Sequence, residues 1–514
     1  MCRTKDNIVI KEIATRLAFR RSGKPRRWVI FVLFKDGLIV RSKFRRIVYK
    51  KNGTVQPRFR LWMKQTQEQC AADTGSNNVD ILRREELILQ SLRPFEETSK
   101  SWRKKRLPGH LLDKEDLSGH LTSGSEVMRN LVISISHDDY VTVPGGVQVC
   151  IQREQKHAQE RGLRYLQAYP LLPAPRLAHV DEEPDTLVSI NLNGKKIGDC
   201  RMSTLINCIT PDMVAAPVIV HHLLGHLPEQ VMQLVQATGK GRCIFWLHDF
   251  FSICPSFFLQ RNNLAFCGGP PVTSNACMLC VYGEERTDHA ARIQKFFDLC
   301  EVDVASPSAF VAEVWQEKSC LQHASLTVIP HITIDQRPRA QARAPIDGPV
   351  IIAFLGSATD HKGWPVFASL IQEFSSDSRF KFVVLSTKRP QLGEDHWRDV
   401  HVSAAAPDAM SEAVGAEKVD LVLHWPTSRE TFSLTTFEAI VGGAHIITHH
   451  ESGNVARAVA ETECGVVLDD EDDLRAFFRN GRAAELADQR RTKHRSFDVV
   501  QRHSQMSFSL NVKD

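Results

Sequence analysis

No run of apolar residues in this 514-residue chain approaches the ~18 needed to cross a bilayer as a helix. The opening stretch, MCRTKDNIVIKEIATRLAFRR, also lacks the apolar centre and small-residue cleavage site of a secretory signal. Both absences point to a cytoplasmic protein. Cysteine is too sparse and dispersed, 13 in all, for a secreted disulfide scaffold, so a reducing compartment with mostly buried thiols is expected. A metal-binding acidic motif is wanting as well. The isolated acidic run Asp470-Glu471-Asp472 stands just before LRAFF and reads as the cap of a helix.

What is present is enough apolar material, 42% against 24% charged, to bury two or three ordinary cores. Charge divides the chain more sharply than any linker. Residues 1–64 hold 8 lysines and 11 arginines against Asp6, Glu12 and Asp36, a net +16. The whole chain is only +5, so the remaining 450 residues carry a net −11. Within the basic segment, FRRSGKPRRW, FKDG and YKKNG repeat an aromatic, basic, glycine order, with glycines at 23, 37 and 53. They read as turns between short strands, giving a basic β-rich extension. Residues 65–128 read as a polar linker around one helix.

From Asn130 onward apolar strands alternate with helical stretches, the pattern of parallel βαβ sheets. LVISIS, TLVSINL, APVIVH, CIFWLH, DVAS and LTVI are candidate strands of a first domain, residues 129–329. VIIAFL, FKFVVL, VDLVLHW, AHIIT and GVVL supply a second, residues 350–490. Between them, residues 330–349 are broken by Pro, Arg and Ala and read as a linker, and residues 491–514 form a tail. The expected architecture is α/β, two doubly wound Rossmann-like domains facing a cleft, with ligands beyond the carboxyl ends of the strands.

Several segments carry chemistry. In RETFSLTTFEAIVGG, Glu430 and Glu438 stand eight apart after the buried strand VDLVLHW. The spacing places both carboxylates on one side of the opening turns of a helix that starts near Thr435 and ends at Gly442-Gly443. In VIIAFLGSATDHKGWPVF, a strand gives way to a loop from Gly356 to Lys362, where an ammonium can neutralise a phosphate, and then to a helix near Gly363. Gly145-Gly146, after the first strand, either lets a ligand approach the backbone or serves as a plain connector. His248-Asp249, at the end of CIFWLHD, places a hydrogen-bonding imidazole at a strand end, where a purely structural role is the alternative. Cys254, Cys267, Cys277 and Cys280 follow among Gly and Pro turns. They suit a structural zinc, an iron-sulfur cluster, or ordinary buried thiols.

The glutamate pair and the Gly356 to Lys362 loop resemble the retaining GT-B glycosyltransferases of the family 4 type, with their E-x7-E motif and a glycine-lysine loop. The resemblance covers roughly residues 129–505. The stretch from His248 to Cys280 is similar to segments of bacterial polysaccharide enzymes of that kind. The resemblance implies a nucleoside-diphosphate sugar as donor and a glycan or lipid-linked acceptor in surface polysaccharide biosynthesis, with no obligatory cofactor or divalent ion. It makes Glu430, His248 and Asp249 catalytic and gives Gly356, Lys362, Glu438, Gly145 and Gly146 to the donor. The chain departs from the family at Ser357, where an arginine is common; Arg429, Lys388 or Arg389 are candidates to replace it. That departure supports the alternative of an inactive GT-B-like protein whose basic arm binds nucleic acid or another polyanion. For the arm itself an anionic membrane surface, at the inner face of the membrane, is preferred to nucleic acid.

Overall fold

The computed structural model describes residues 110–122, 130–337, 348–492 and 496–502, less 144, 172–173, 262–264, 275–276, 278–279, 281, 391–395 and 404. The basic extension, residues 1–64, lies outside the described residues, as does the expected linker apart from the helix Lys114–Thr122 and its immediate neighbours. Two compact units are distinguished: residues 1–100 with 260–287, and residues 101–259 with 288–514. Among the described residues, the first unit holds a short antiparallel pair, Gln260–Arg261 with Ala265–Phe266.

The second unit contains two α/β sheets. The first has eight strands: β1 (Leu131–Ile135), β2 (Arg164–Pro170), β3 (Leu187–Leu192), β4 (Lys195–Arg201), β5 (Val218–Val220), β6 (Arg242–Trp246), β9 (Glu301–Ser306) and β10 (Ser325–Val328). The short pair of the other unit is β7 and β8. The strand order is β10-β9-β6-β5-β1-β2-β3-β4. Pairing is parallel from β10 to β2 and antiparallel across β2-β3 and β3-β4. The parallel βαβ pattern expected from the alternation thus holds from β10 to β2, with an antiparallel edge beyond it. Within that edge Asn193 and Gly194 both take positive φ, 52° and 80°, and close the tight hairpin of β3 and β4.

The second sheet is parallel throughout, in the order β14-β13-β12-β15-β16-β17. Its strands are β12 (Val350–Leu355), β13 (Phe380–Ser386), β14 (Trp397–Asp399), β15 (Leu421–Leu423), β16 (His445–His449) and β17 (Gly465–Leu468). Side chains alternate along β12. Ile352 and Phe354 pack with Trp364, Phe367 and Leu370 of the helix Trp364–Phe374. Ala353 and Leu355 pack on the opposite face with Val414, Ala439 and Ile440. Helices thus cover both faces, the condition under which parallel strands read as continuous apolar runs.

The chain returns near its end: β18 (Phe497–Arg502) pairs antiparallel with β11 (Ile332–Gln336) just after the first sheet. In each large sheet the order reverses between neighbours, at β1/β5 and at β12/β15. The loops that leave those strands are where such sheets hold ligands.

Candidate active site

After β12 the chain turns at Gly356 (φ 84°), runs through a 3-10 turn over Asp360–Lys362, and enters the next helix at Gly363 (φ 83°). Gly363 has no substitute. A Cβ there would stand 1.9 Å from the Trp425 carbonyl oxygen. This close approach lays the Lys362 turn on the loop after β15. Lys362 Nζ donates to both carboxylate oxygens of Glu430, at 2.9 and 3.1 Å. Burial pushes the Glu430 carboxyl up, and Lys362, His424 and His361 together more than reverse this, leaving it below its ordinary value. Burial and then Lys362 lower His361 to about 4.

Glu430 lies in the loop before the helix Leu434–Val441, whose start agrees with the one expected near Thr435. Its backbone forms a bridge with Gly453, whose Cβ would meet the Glu430 oxygen at 2.6 Å. The intervening Ser433 has φ 66°, too strained for a helix interior, which is why eight residues span a loop as well as a helix. Glu438 does lie in the helix. It is 7% exposed, and its carboxylate accepts no hydrogen bond among the described residues. Burial raises it to about 7 against the opposing pull of Arg153 and Arg502.

The glycine pair after β1 opens the helix Gly146–Glu160. A Cβ on Gly146 would lie 3.7 Å from Leu434 Cδ1, and one on Gly356 would lie 3.5 Å from Thr435 Cγ2. Both glycines therefore flank the first turn of the helix that carries Glu438. From the Gly146 helix, Arg153 reaches across, donating to the His331 carbonyl at 3.3 Å while its Nη2 is buried without a partner. Nothing in IQREQKH marks Arg153 beyond its place seven residues after the glycine, one face of a helix later. Of the replacements considered for the missing arginine, Arg429 pairs with Glu451 at 3.1 Å.

His248 and Asp249 leave β6 at the same edge. The Thr431 hydroxyl donates to the His248 carbonyl at 2.7 Å, and the Ser308 hydroxyl to the Thr431 carbonyl at 2.6 Å. These bonds tie the loop after Glu430 to the first sheet. Asp249 is occupied structurally: one oxygen accepts from the Phe251 amide at 2.8 Å, and the other lies 2.9 Å from His222 Nε2.

Of the four cysteines suited to a metal centre, Cys254 belongs to one unit and Cys267, Cys277 and Cys280 to the other. Among the described residues no group of three or more His, Cys, Asp or Glu side chains is placed to hold a metal ion, and no described cysteine is in a disulfide. Within its own unit, Cys277 Sγ takes an N–H from Arg286 at 2.7 Å, and burial raises the Cys267 thiol. Asp470 caps the helix Glu471–Arg479, accepting from the Asp472 and Asp473 amides.

No family model matches the chain, and no curated protein matches it. Among solved structures it is similar to sucrose-phosphate synthase from Thermosynechococcus elongatus, at 13% identity over 71% of this chain and 92% of that one, TM-score 0.42. It is similar also to Anabaena HepE in complex with UDP-glucose, at 10% identity over 71% and 93%, TM-score 0.42. A glycosyltransferase from Rickettsia africae gives 12% identity over 71% and 91%, TM-score 0.41. Among the described residues no helix is long and apolar enough to cross a membrane.

Proposed function

We propose that the chain is a GT-B glycosyltransferase that moves a sugar, with retention, from a nucleoside-diphosphate donor to a glycan or lipid-linked acceptor in surface polysaccharide biosynthesis. The observation that carries this reading is the Lys362–Glu430 pair at the β12/β15 switch point, beside the first turn of the Leu434–Val441 helix. Breaking an anomeric C–O bond leaves negative charge on the departing diphosphate. A lysine and a helix N-terminus stabilise that charge without a divalent ion. In the free protein Glu430 neutralises Lys362. An arriving diphosphate draws the ammonium away, and the freed carboxylate accepts hydroxyls of the donor sugar.

Glu438, buried and without a hydrogen bond, suits the adjacent diol of a ribose, whose two hydroxyls donate to one carboxylate. Arg153 takes the place of the cation missing at Ser357, and Gly145, Gly146 and Gly356 keep the backbone close to the ligand. The basic arm brings the enzyme to an anionic membrane where a lipid-linked acceptor resides.

Calorimetry with nucleoside diphosphates and a transfer assay over a panel of nucleotide sugars test the reading. Lys362→Ala and Glu438→Ala each lose roughly 1–3 kcal/mol of nucleotide binding, the worth of a charged hydrogen bond. Glu430→Ala loses turnover more than nucleotide affinity. Unchanged affinity in both folded variants of the first pair removes the donor site from this cleft.

A further inference from the structure

Behind His248 the first sheet buries a line of polar side chains that the donor site does not use. The Tyr165 hydroxyl donates to Glu154 Oε1 at 2.9 Å. His221 Nε2 lies 3.3 Å from the same oxygen, and His221 Nδ1 lies 2.9 Å from His248 Nε2. Tyr165 is 0% exposed, Glu154 and His221 2%, and His248 9%. His248 Nδ1 meets no hydrogen-bond partner among the described residues.

With one proton on each imidazole, the direction of this line is fixed by its far end. A carboxylate only accepts, so His221 must carry its proton on Nε2 to bond Glu154. The Nδ1 of a neutral His221 is then bare and accepts, which requires the proton of His248 on Nε2. That leaves His248 Nδ1 bare. Burial first, and then the neighbouring imidazoles of His221, His331, His222 and His137, hold His248 well below the ordinary histidine value, so it is neutral near pH 7 and the tautomer is well defined. Trp246 and His331, with ring centroids 5.3 Å from that of His248, fix its plane.

We propose that Glu154 is a positioning residue that acts through His221 to hold His248 as the Nε2–H tautomer, so that Nδ1 is presented as an acceptor for a substrate hydroxyl. Only the identity of the substrate rests on the glycosyl-transfer reading; the tautomer does not. A hydroxyl that gives its proton to Nδ1 keeps its lone pairs for its other partner, which suits either a donor-sugar hydroxyl or the incoming acceptor.

The test uses the full chain labelled with 15N-histidine, with His248→Asn to assign the His248 signals. The 15N shifts separate a protonated from a bare ring nitrogen. Wild-type protein is expected to show His248 as Nε2–H, and Glu154→Gln, whose amide can donate to His221, to move that proton wholly or partly to Nδ1. Tyr165→Phe keeps the carboxylate and keeps the tautomer. A wild-type Nδ1–H tautomer overturns the proposal without any variant, as does a Glu154→Gln spectrum identical to wild type. With whichever nucleotide sugar the wild type turns over, Glu154→Gln lowers kcat/KM roughly tenfold or more with nucleotide affinity unchanged. A loss seen in donor hydrolysis assigns the hydroxyl to the donor sugar, and a loss in transfer alone assigns it to the acceptor. An inverted tautomer with unchanged kinetics overturns the substrate role. A chain that turns over no sugar, yet shows the expected tautomers, refutes glycosyl transfer and leaves the relay standing.

Discussion

At the residue scale the two glutamates eight apart have opposite electrostatics. Glu430 is held below its ordinary value beside Lys362, whereas Glu438 is raised to about 7 by burial. For Glu438 the sign of the pH dependence follows directly. Its native value lies above the 4.5 of the unfolded chain, so between about pH 4.5 and 7 the native state holds a proton that the unfolded state has released. Stability contributed by this group is present below 4.5 and falls as pH rises through that window. The proposed nucleotide binding runs the other way, since ribose hydroxyls donate best to an ionised carboxylate. Thermal melts from pH 4.5 to 7.5 should therefore show a downward slope that Glu438→Gln flattens, while nucleotide affinity in wild type climbs as pH rises through about 7. Equal slopes in wild type and variant would show that Glu438 titrates outside this range.

At the scale of elements, one ionic cluster fastens the last helix to the second sheet. Asp420, 1% exposed at the start of β15, accepts from Arg490 at 3.0 Å and from Arg491 at 2.9 and 2.6 Å. Its Oδ2 also receives the Ile351 amide of β12 at 3.0 Å. Asp420→Ala leaves two largely buried guanidinium groups without their shared carboxylate, and about 3–5 kcal/mol of stability should be lost in chemical denaturation. A loss below about 1 kcal/mol would mean that solvent already screens the cluster. Arg490 and Arg491 are unremarkable in sequence, and the same holds for much that proved decisive. The apolar strands are legible because burial on both faces writes continuous Val, Ile and Leu runs. β2 is not, because RYLQAYP places Gln167 in the core, where Ser136 and Asn191 satisfy it at 2.6 and 2.9 Å. The hairpin of β3 and β4 did carry its signal, Asn193-Gly194, inside a stretch otherwise read for helix alternation. In the candidate site, Gly356, Lys362 and both glutamates are legible from local spacing. Arg153, Glu154 and His221 are not, since their meaning lies in partners such as Glu438 and His248, far along the chain.

For the whole molecule, the unequal distribution of charge has the widest consequence. A net +16 in residues 1–64, against −11 for the rest, gives opposite electrostatic characters to two parts of one chain. Trp28, Phe31, Phe34, Phe44, Tyr49 and Trp62 are interleaved with the cations, a composition that suits an anionic membrane surface, where basic groups meet headgroups and aromatic rings settle at the interface. Single-stranded nucleic acid would also use both features. The proposed lipid-linked acceptor favours the membrane. Each basic residue near an anionic leaflet contributes about 1 kcal/mol, screened progressively by salt. The full chain should therefore pellet with anionic vesicles at low salt and leave them as salt rises, and a chain lacking residues 1–64, with a net charge of −11, should stay in the supernatant. Equal pelleting of the two would remove the arm from membrane recruitment, and preferential retention on single-stranded nucleic acid at matched salt would transfer its role to that partner.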